Sequence, residues 1–429
     1  MAEGTTPLPV DPAGETAPRN PPQGGRQAAL AFIFVAVTID TISMGITAPV
    51  LPALIQRMAG DPAQGPWMNG VFMTVFALMQ FIFSPILGAL SDRYGRRPIL
   101  LLSIAAMGLS YVGMGLATSI WQLLLIRMFT GATSANIATA FAYIADVTPP
   151  EKRAGAYGMM QAAMSLGFAF GPAIGGILNG LGPSAPFWAA AACSLVNAAY
   201  GFFVVPESLS ADRRAPFRLR EMASFGALRM LNARPGLLRL AVILALAQFA
   251  VMVFPTDFVL YAQDRYGWGI GAVSACLTAF GVCSAAVQLG LSGRVVRLFG
   301  EPRVIIVGLA CGVVGLTIFG WAPTGLAFII GVPIMTLWGV SGPAVQSLMT
   351  RMVSSSEQGR LQGANTSLGS LSGVVAPLMF GGLLSGVTTL VAAKHAGIAT
   401  LGAPFFLASA IVLIAVGLGV FVRPARSRA

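Results

Sequence analysis

Between two apolar runs the chain reads Gly88-Ala-Leu-Ser-Asp92-Arg93-Tyr-Gly95-Arg96-Arg97, and half a chain later Gly290-Leu-Ser-Gly293-Arg294-Val-Val-Arg297 stands in the same setting. A second echo accompanies the first: Glu151-Lys-Arg153 leads to Ser165-Leu-Gly167, and Glu357-Gln-Gly-Arg360 leads to Ser367-Leu-Gly369. Outward from these loops lie apolar runs long enough to cross a hydrocarbon core, at about 20 residues per crossing. They fall near 28–56, 67–90, 97–117, 121–147, 153–180 and 186–206, then 237–262, 270–292, 303–322, 325–350, 358–385 and 401–422. They are too long and too uniformly apolar for barrel strands, so each is expected to be a helix that satisfies its own backbone. The expected fold is an all-α membrane protein of 12 transmembrane helices in two pseudo-symmetric six-helix bundles. Parallel repeats of this kind suit two bundles that rock around a site near the midplane.

Composition agrees. Of 429 residues, 56% are hydrophobic and 10% charged, against roughly 25% charged in an ordinary soluble domain. A net charge of +11 would suggest nucleic acid in a soluble chain, but here its placement excludes that partner. The odd-numbered loops hold only Arg57, Arg265 and Lys394 among the 26 Lys and Arg; apart from Arg127, the rest lie at the termini and in the even-numbered loops. By the positive-inside rule both termini are expected to be cytoplasmic.

Residues 1–27, rich in Pro and Gly and without the apolar core of a signal peptide, are expected to be a disordered cytoplasmic tail. The first bundle is placed at 28–206 and the second at 237–422. Between them 207–236, with Arg213, Arg214, Arg218 and Arg220, forms a cytoplasmic linker, and 423–429 is a short tail. Cys193, Cys276, Cys283 and Cys311 all lie inside spans in no metal-ligand spacing, and are read as packing residues.

Three charges fall well inside spans: Asp40, Arg127 and Asp257. A charge in hydrocarbon is costly and marks a water-filled path or a partner. At 1.5 Å per residue, Arg127 is roughly 15 Å from the outer end of span 4 and Asp40 roughly 18 Å from the inner end of span 1, so both sit near the midplane and a pairing between them is expected. Asp257, just after Pro255, lies closer to the outer mouth. His395 is the only histidine and sits in a loop, so no histidine relay crosses the membrane. Trp67, Trp121, Trp188, Trp268 and Trp321 stand near span ends, as an interfacial belt requires, whereas Trp338 is inside span 10.

The stretch from Gly88 to Arg97 is read as a conformational latch. Gly88 and Gly95 would allow a tight turn, Asp92 would meet the positive end of a neighbouring helix, and Arg93, Arg96 and Arg97 would hold acidic groups on adjacent helix ends. In span 5, Gly167-x-x-x-Gly171-Pro172-x-x-Gly175-Gly176 puts small residues on one face and a proline that bends the helix.

The loop pattern Gly-x-x-x-Asp-Arg-x-Gly-Arg-Arg resembles the loop 2–3 signature of the major facilitator superfamily, and the span 5 pattern resembles its antiporter motif. Leu123-x-x-x-Arg127-x-x-x-Gly131-x-x-x-Ala135 is similar to its span 4 motif. Beyond single motifs, the chain after residue 28 resembles the tetracycline-efflux branch of the drug:proton antiporters. The resemblance is carried by Asp40-Thr-Ile-Ser-Met-Gly45-Ile-Thr-Ala-Pro49-Val-Leu-Pro52, Asp264-Arg265-Tyr266-Gly267-Trp268, Gly342-Pro343-Ala344-Val-Gln346 and Gln358-Gly359-Arg-Leu-Gln362-Gly363. It implies a proton-coupled antiporter exporting a small, partly apolar drug-like compound by alternating access. It implies no cofactor beyond the proton gradient, no metal, and a functional monomer. Asp40 would carry the proton, with Arg127 lowering its proton affinity in one state. The branch's exporters also carry an acidic residue in span 3, a histidine in span 8 and an aspartate in span 9; Ser110, Ser284 and Gly312 stand there instead, which argues against tetracycline as the substrate. Proton symport or facilitated uptake of a metabolite is the alternative, disfavoured by the span 5 motif. A membrane-embedded enzyme or sensor is more remote, since the chain shows no catalytic pair, metal cluster or phosphate loop.

Overall fold

The computed structural model describes residues 23–209, 214, 231, 235–353 and 358–422. Most of the expected tail and linker, and 423–429, lie outside the described residues. Within them the chain is helical throughout, with no strand. In the first half the helices are α1 (Gln23–Thr47), α2 (Val50–Ala59), α3 (Gln64–Tyr94), α4 (Arg96–Leu116), α5 (Ile120–Thr133), α6 (Asn136–Val147), α7 (Pro150–Asn179) and α8 (Ala185–Val204). In the second they are α9 (Pro235–Val251), α10 (Val259–Tyr266), α11 (Ile270–Ala286), α12 (Ser292–Phe299), α13 (Glu301–Trp321), α14 (Gly325–Thr336), α15 (Ser341–Arg351), α16 (Gln358–Ala392) and α17 (Ala403–Val420). Helix α1 begins at Gln23, inside the stretch expected to be tail.

Ten helical segments of the described chain are long and apolar enough to cross a membrane. The two other expected crossings, spans 4 and 8, are broken. Span 4 divides at Ser134 and Ala135 into α5 and α6, and span 8 passes from α11 through a wide π turn at Val287–Leu291 into α12. The break in span 4 has a local cause. Thr130, Thr133 and Ser134 cluster there, and the two threonine hydroxyls bond back to carbonyls four residues earlier, which competes with regular helix. A second π turn, Phe254–Phe258, carries Pro255, whose missing N–H removes a helical bond from span 7.

Corresponding places in the two halves use the same local devices. Ser119 caps α5 by accepting from the Gln122 amide at 3.4 Å, and Thr324 caps α14 by accepting from the Ala327 amide at 3.3 Å. The interiors differ. The second half has one continuous apolar core running from Leu231 to Ala415. The first half has two, one around Phe32, Ile104 and Tyr143 and another around Ile46, Phe72 and Phe187.

The halves meet along two helix pairs. Gly70 of α3 packs on the backbone of Pro377 and on Gly381 of α16, while Gly176 of α7 packs on Ser274 and Gly281 of α11 on Ala169. Hydrogen bonds across the junction gather at the start of α3. Asn69 donates to the Thr256 carbonyl at 2.5 Å, Thr74 to the Val374 carbonyl at 2.8 Å, and Ser385 to the Ala63 carbonyl at 2.6 Å. Toward the other end of α3 a side chain at Gly88 would meet open space, as would one at Gly290 or Gly293. Among the described residues the hydrogen bonds and backbone contacts across the junction gather at the end carrying the α2–α3 loop.

Candidate functional site

Asp40 is buried on α1, and its carboxylate accepts from the Asn136 amide at the first residue of α6. The break in span 4 creates this site. It ends α5, restarts the chain as α6, and sets the positive end of that helix beside a carboxylate, where the dipole favours negative charge. Leu100 and Ile104 of α4 and Ile137 and Ala140 of α6 wall the rest of the niche. The second carboxylate oxygen has no partner.

The expected pairing of Asp40 with Arg127 is not formed. The Arg127 guanidinium lies 4.3 Å from the Phe76 ring centroid and donates to the Met73 sulfur at 3.4 Å. Both groups lie within electrostatic reach of the buried Tyr111. Arg127 sits on α5 and Asn136 beyond the break, so the turn of the chain between them decides which reaches Asp40. Sequence spacing along an unbroken helix could not show this, although the run of Thr, Ser and Asn in span 4 was a usable signal.

The next residue on α1 turns toward α7. The Thr41 hydroxyl donates to the Val37 carbonyl of its own helix at 2.8 Å and approaches the Ala163 carbonyl of α7 at 3.4 Å, and Gly167 packs on Thr41, Gly171 on Gly45 and Gly175 on Ile46. Three of the motif glycines thus form a seam with α1, and Gly176 looks instead toward α11 of the other half. Pro172 lies inside the continuous α7 and lines a cavity between the halves.

That cavity has a volume of about 370 Å³. Its deep wall is built from Phe254, Phe258, Phe280, Phe319 and Phe328, and its mouth from Gln161, Ser165, Ser284 and Gln288. Among the described residues no charged side chain lines it, and Asp40, Arg127 and Asp257 are not part of its walls. Ser284, where a histidine was expected in related exporters, accepts from Gln288 at 3.2 Å. Ser110 bonds the Ala106 carbonyl, and the space above Gly312 is filled by the Trp338 indole. Trp338 is therefore a packing residue, buried where an aspartate side chain would otherwise stand.

Asp257, read from the sequence as closer to the outer mouth, is not solvated there. It is fully buried in the π turn of span 7, and neither carboxylate oxygen has a hydrogen-bond partner. Its neighbours Pro255 and Thr256 offer their carbonyls to Asn69 of the other half at 3.4 and 2.5 Å.

The loop after α3 also corrects its expected roles. Gly88 lies within α3, and only Gly95, at φ 110°, makes the turn. Asp92 pairs with Arg96 at 2.5 Å, and among the described residues it caps no helix. The cap on α4 is Glu207, which accepts from the amides of Arg96 at 2.8 Å and Arg97 at 3.3 Å. Arg96 also reaches Asp146 at the end of α6, 3.1 Å away. Arg97 donates to the Phe202 carbonyl and Arg93 lies over the Tyr94 ring, and among the described residues neither pairs with an acid. Glu207 stands just after span 6 in the sequence, and its contact with α4 required the fold.

Among the described residues no three of His, Cys, Asp and Glu gather as metal ligands. Residues 33–377 match the family described as "Major Facilitator Superfamily". The chain is 35% identical over 355 residues to the "Tetracycline resistance protein, class C" of Escherichia coli, covering 82% of this chain and 88% of that protein. It is 34% identical to the class G protein of Vibrio anguillarum, covering 84% and 91%. Among solved structures, the human organic anion transporter MFSD10 (TETRAN) shares its fold at a TM-score of 0.69 and 22% identity, over 93% of this chain and 100% of that one.

Proposed function

The chain belongs to the major facilitator superfamily, and from that premise we propose that it exchanges a small drug-like compound for protons by alternating access. It is a secondary transporter of the drug:proton antiporter type, and its relatives over most of its length are named for tetracycline resistance. The driving force is the proton gradient with no cofactor. The setting is a bacterial inner membrane, with spans 4 and 8 completing twelve crossings, both termini cytoplasmic, and the monomer as the working unit.

One observation carries the proton role: a buried carboxylate, Asp40, faces the broken span 4 while the adjacent turn of α1 is locked to α7, which lines the cavity. With the termini cytoplasmic, the junction contacts gather at the outer end, as in an inward-open form. Protonating Asp40 removes its charge from the start of α6, so the niche no longer favours the same packing of α1, and the change passes along the glycine seam to α7. Proton and substrate thus act through one pair of helices without touching each other. The Gly95 latch holds the inward-open form, and Asp257 lies where the outer closure grips span 7.

The test is transport in everted vesicles. Asp40→Asn is expected to abolish substrate-induced alkalinisation of the vesicle lumen while the protein stays folded. Uphill transport by Asp40→Asn driven by a pH gradient alone would remove Asp40 as the carrier and make Asp257 the next group to replace.

A further inference from the structure

The chemistry of the cavity narrows the substrate. Phe319 and Phe328 are stacked at 4.0 Å with 14° between their planes, and Phe254 meets Phe319 edge-on at 5.8 Å. Phe258, Phe319 and Phe328 are buried against one another, and the half-buried Phe254 and Phe280, with Phe168 of α7, present the aromatic surface of the cavity, against which another aromatic ring packs offset or edge-on. The hydrogen-bonding groups at the mouth are neutral amides and hydroxyls, Gln161, Ser165, Ser284 and Gln288. An ion entering a pocket with no counter-charge loses hydration that nothing replaces. The volume lies at the low end of small-molecule sites, which run about 300–1,000 Å³.

We infer that the cavity selects uncharged aromatic compounds of a few rings, held by the phenylalanine wall and oriented by a neutral donor or acceptor meeting Gln161 and Gln288. This rests on the proposal that the cavity is the substrate site of an exchanger. It excludes permanent cations, anions and metal chelates, and it makes the ligand site separate from the Asp40 niche, with which it shares no lining residue.

Three probes on one anilinonaphthalene skeleton test it: neutral N-phenyl-1-naphthylamine, its 8-sulfonate, and a trimethylammonium derivative. Binding to the purified full-length protein in detergent is read as a concentration-dependent rise in unfolding temperature. The neutral probe is expected to bind at least about tenfold more tightly than either charged one, a difference of about 1.4 kcal/mol. Gln161→Ala with Gln288→Ala should weaken it about tenfold without lowering the ligand-free unfolding temperature. Equal or tighter binding of a charged probe, or no change in the double variant, overturns the inference. Proton movement in everted vesicles separates the two readings. Selective binding of the neutral probe without proton release supports the cavity assignment and counts against exchange, whereas proton exchange driven only by the cationic probe keeps exchange and overturns the assignment.

Discussion

The turn at Gly95 and the turn at Gly300 occupy the same place in the two halves, and each is followed by a charged residue bridged to the end of a neighbouring span. In the first half the cation comes first: Arg96 reaches Asp146 at 3.1 Å. In the second the anion comes first: Glu301 reaches Arg351 at 2.8 Å. Gly95 and Gly300, Arg96 and Glu301, Asp146 and Arg351 are all separated by the same 205 positions. The repeat has kept the bridge and reversed its polarity. What matters to the architecture is therefore a tie between two helix ends, and either sign at either end makes it. The settings still differ. Arg96 and Asp146 are 14% and 18% exposed, whereas Arg351 is 62% exposed. Glu207 closes over Gly95, while nothing stands near Gly300.

The sharpest way to break this comparison is to reverse one partner. Asp146→Arg places two cations in a half-buried site and is expected to destabilise the purified protein by about 3–5 kcal/mol, the range for leaving a buried charge uncompensated. Adding Arg96→Asp reproduces the polarity of the second half and should recover more than half of that loss in thermal unfolding. No recovery would mean that the two bridges are not equivalent.

A smaller effect separates the two turns. Both glycines hold backbone angles that other residues adopt only under strain, with φ 110° and 75°, so an alanine at either costs of order 1–3 kcal/mol. Gly95→Ala must also displace Glu207 from the amides of α4, and should lower the unfolding temperature further than Gly300→Ala and slow turnover as well. Equal shifts would show that Glu207 contributes little to the latch.

The smallest effect is expected at the exposed bridge. Glu301→Gln removes a pair screened on the Arg351 side and should cost about 0–1 kcal/mol, with transport close to normal. A loss as large as that of Asp146→Arg would place the working latch in the second half.

Much of the architecture was legible because membrane insertion is decided by local composition. Apolar runs, loop charges and glycine punctuation are read residue by residue, and they placed the spans and isolated Asp40, Arg127 and Asp257 as the charges to explain. The site was less legible. An unbroken helix through span 4 would have offered Arg127 to Asp40, and only the break at Ser134 and Ala135 brought Asn136 there. The phenylalanine wall draws on four spans, 7 to 10, each contributing one or two residues that look like ordinary membrane composition.

By itself the sequence determined the all-helical membrane fold, the twofold repeat and the glycine face of span 5, since hydrophobic run length, charge placement and residue size act locally along the chain. Only the tertiary structure decided which polar groups meet: Asn136 at Asp40, Glu207 at the start of α4, Asn69 at the carbonyls beside Asp257, and an uncharged aromatic cavity that shares no lining with the Asp40 niche. The physical reason is that a buried hydrogen bond depends on position to within a few tenths of an ångström, and helix breaks and crossing points, which accumulate over whole bundles, set that position.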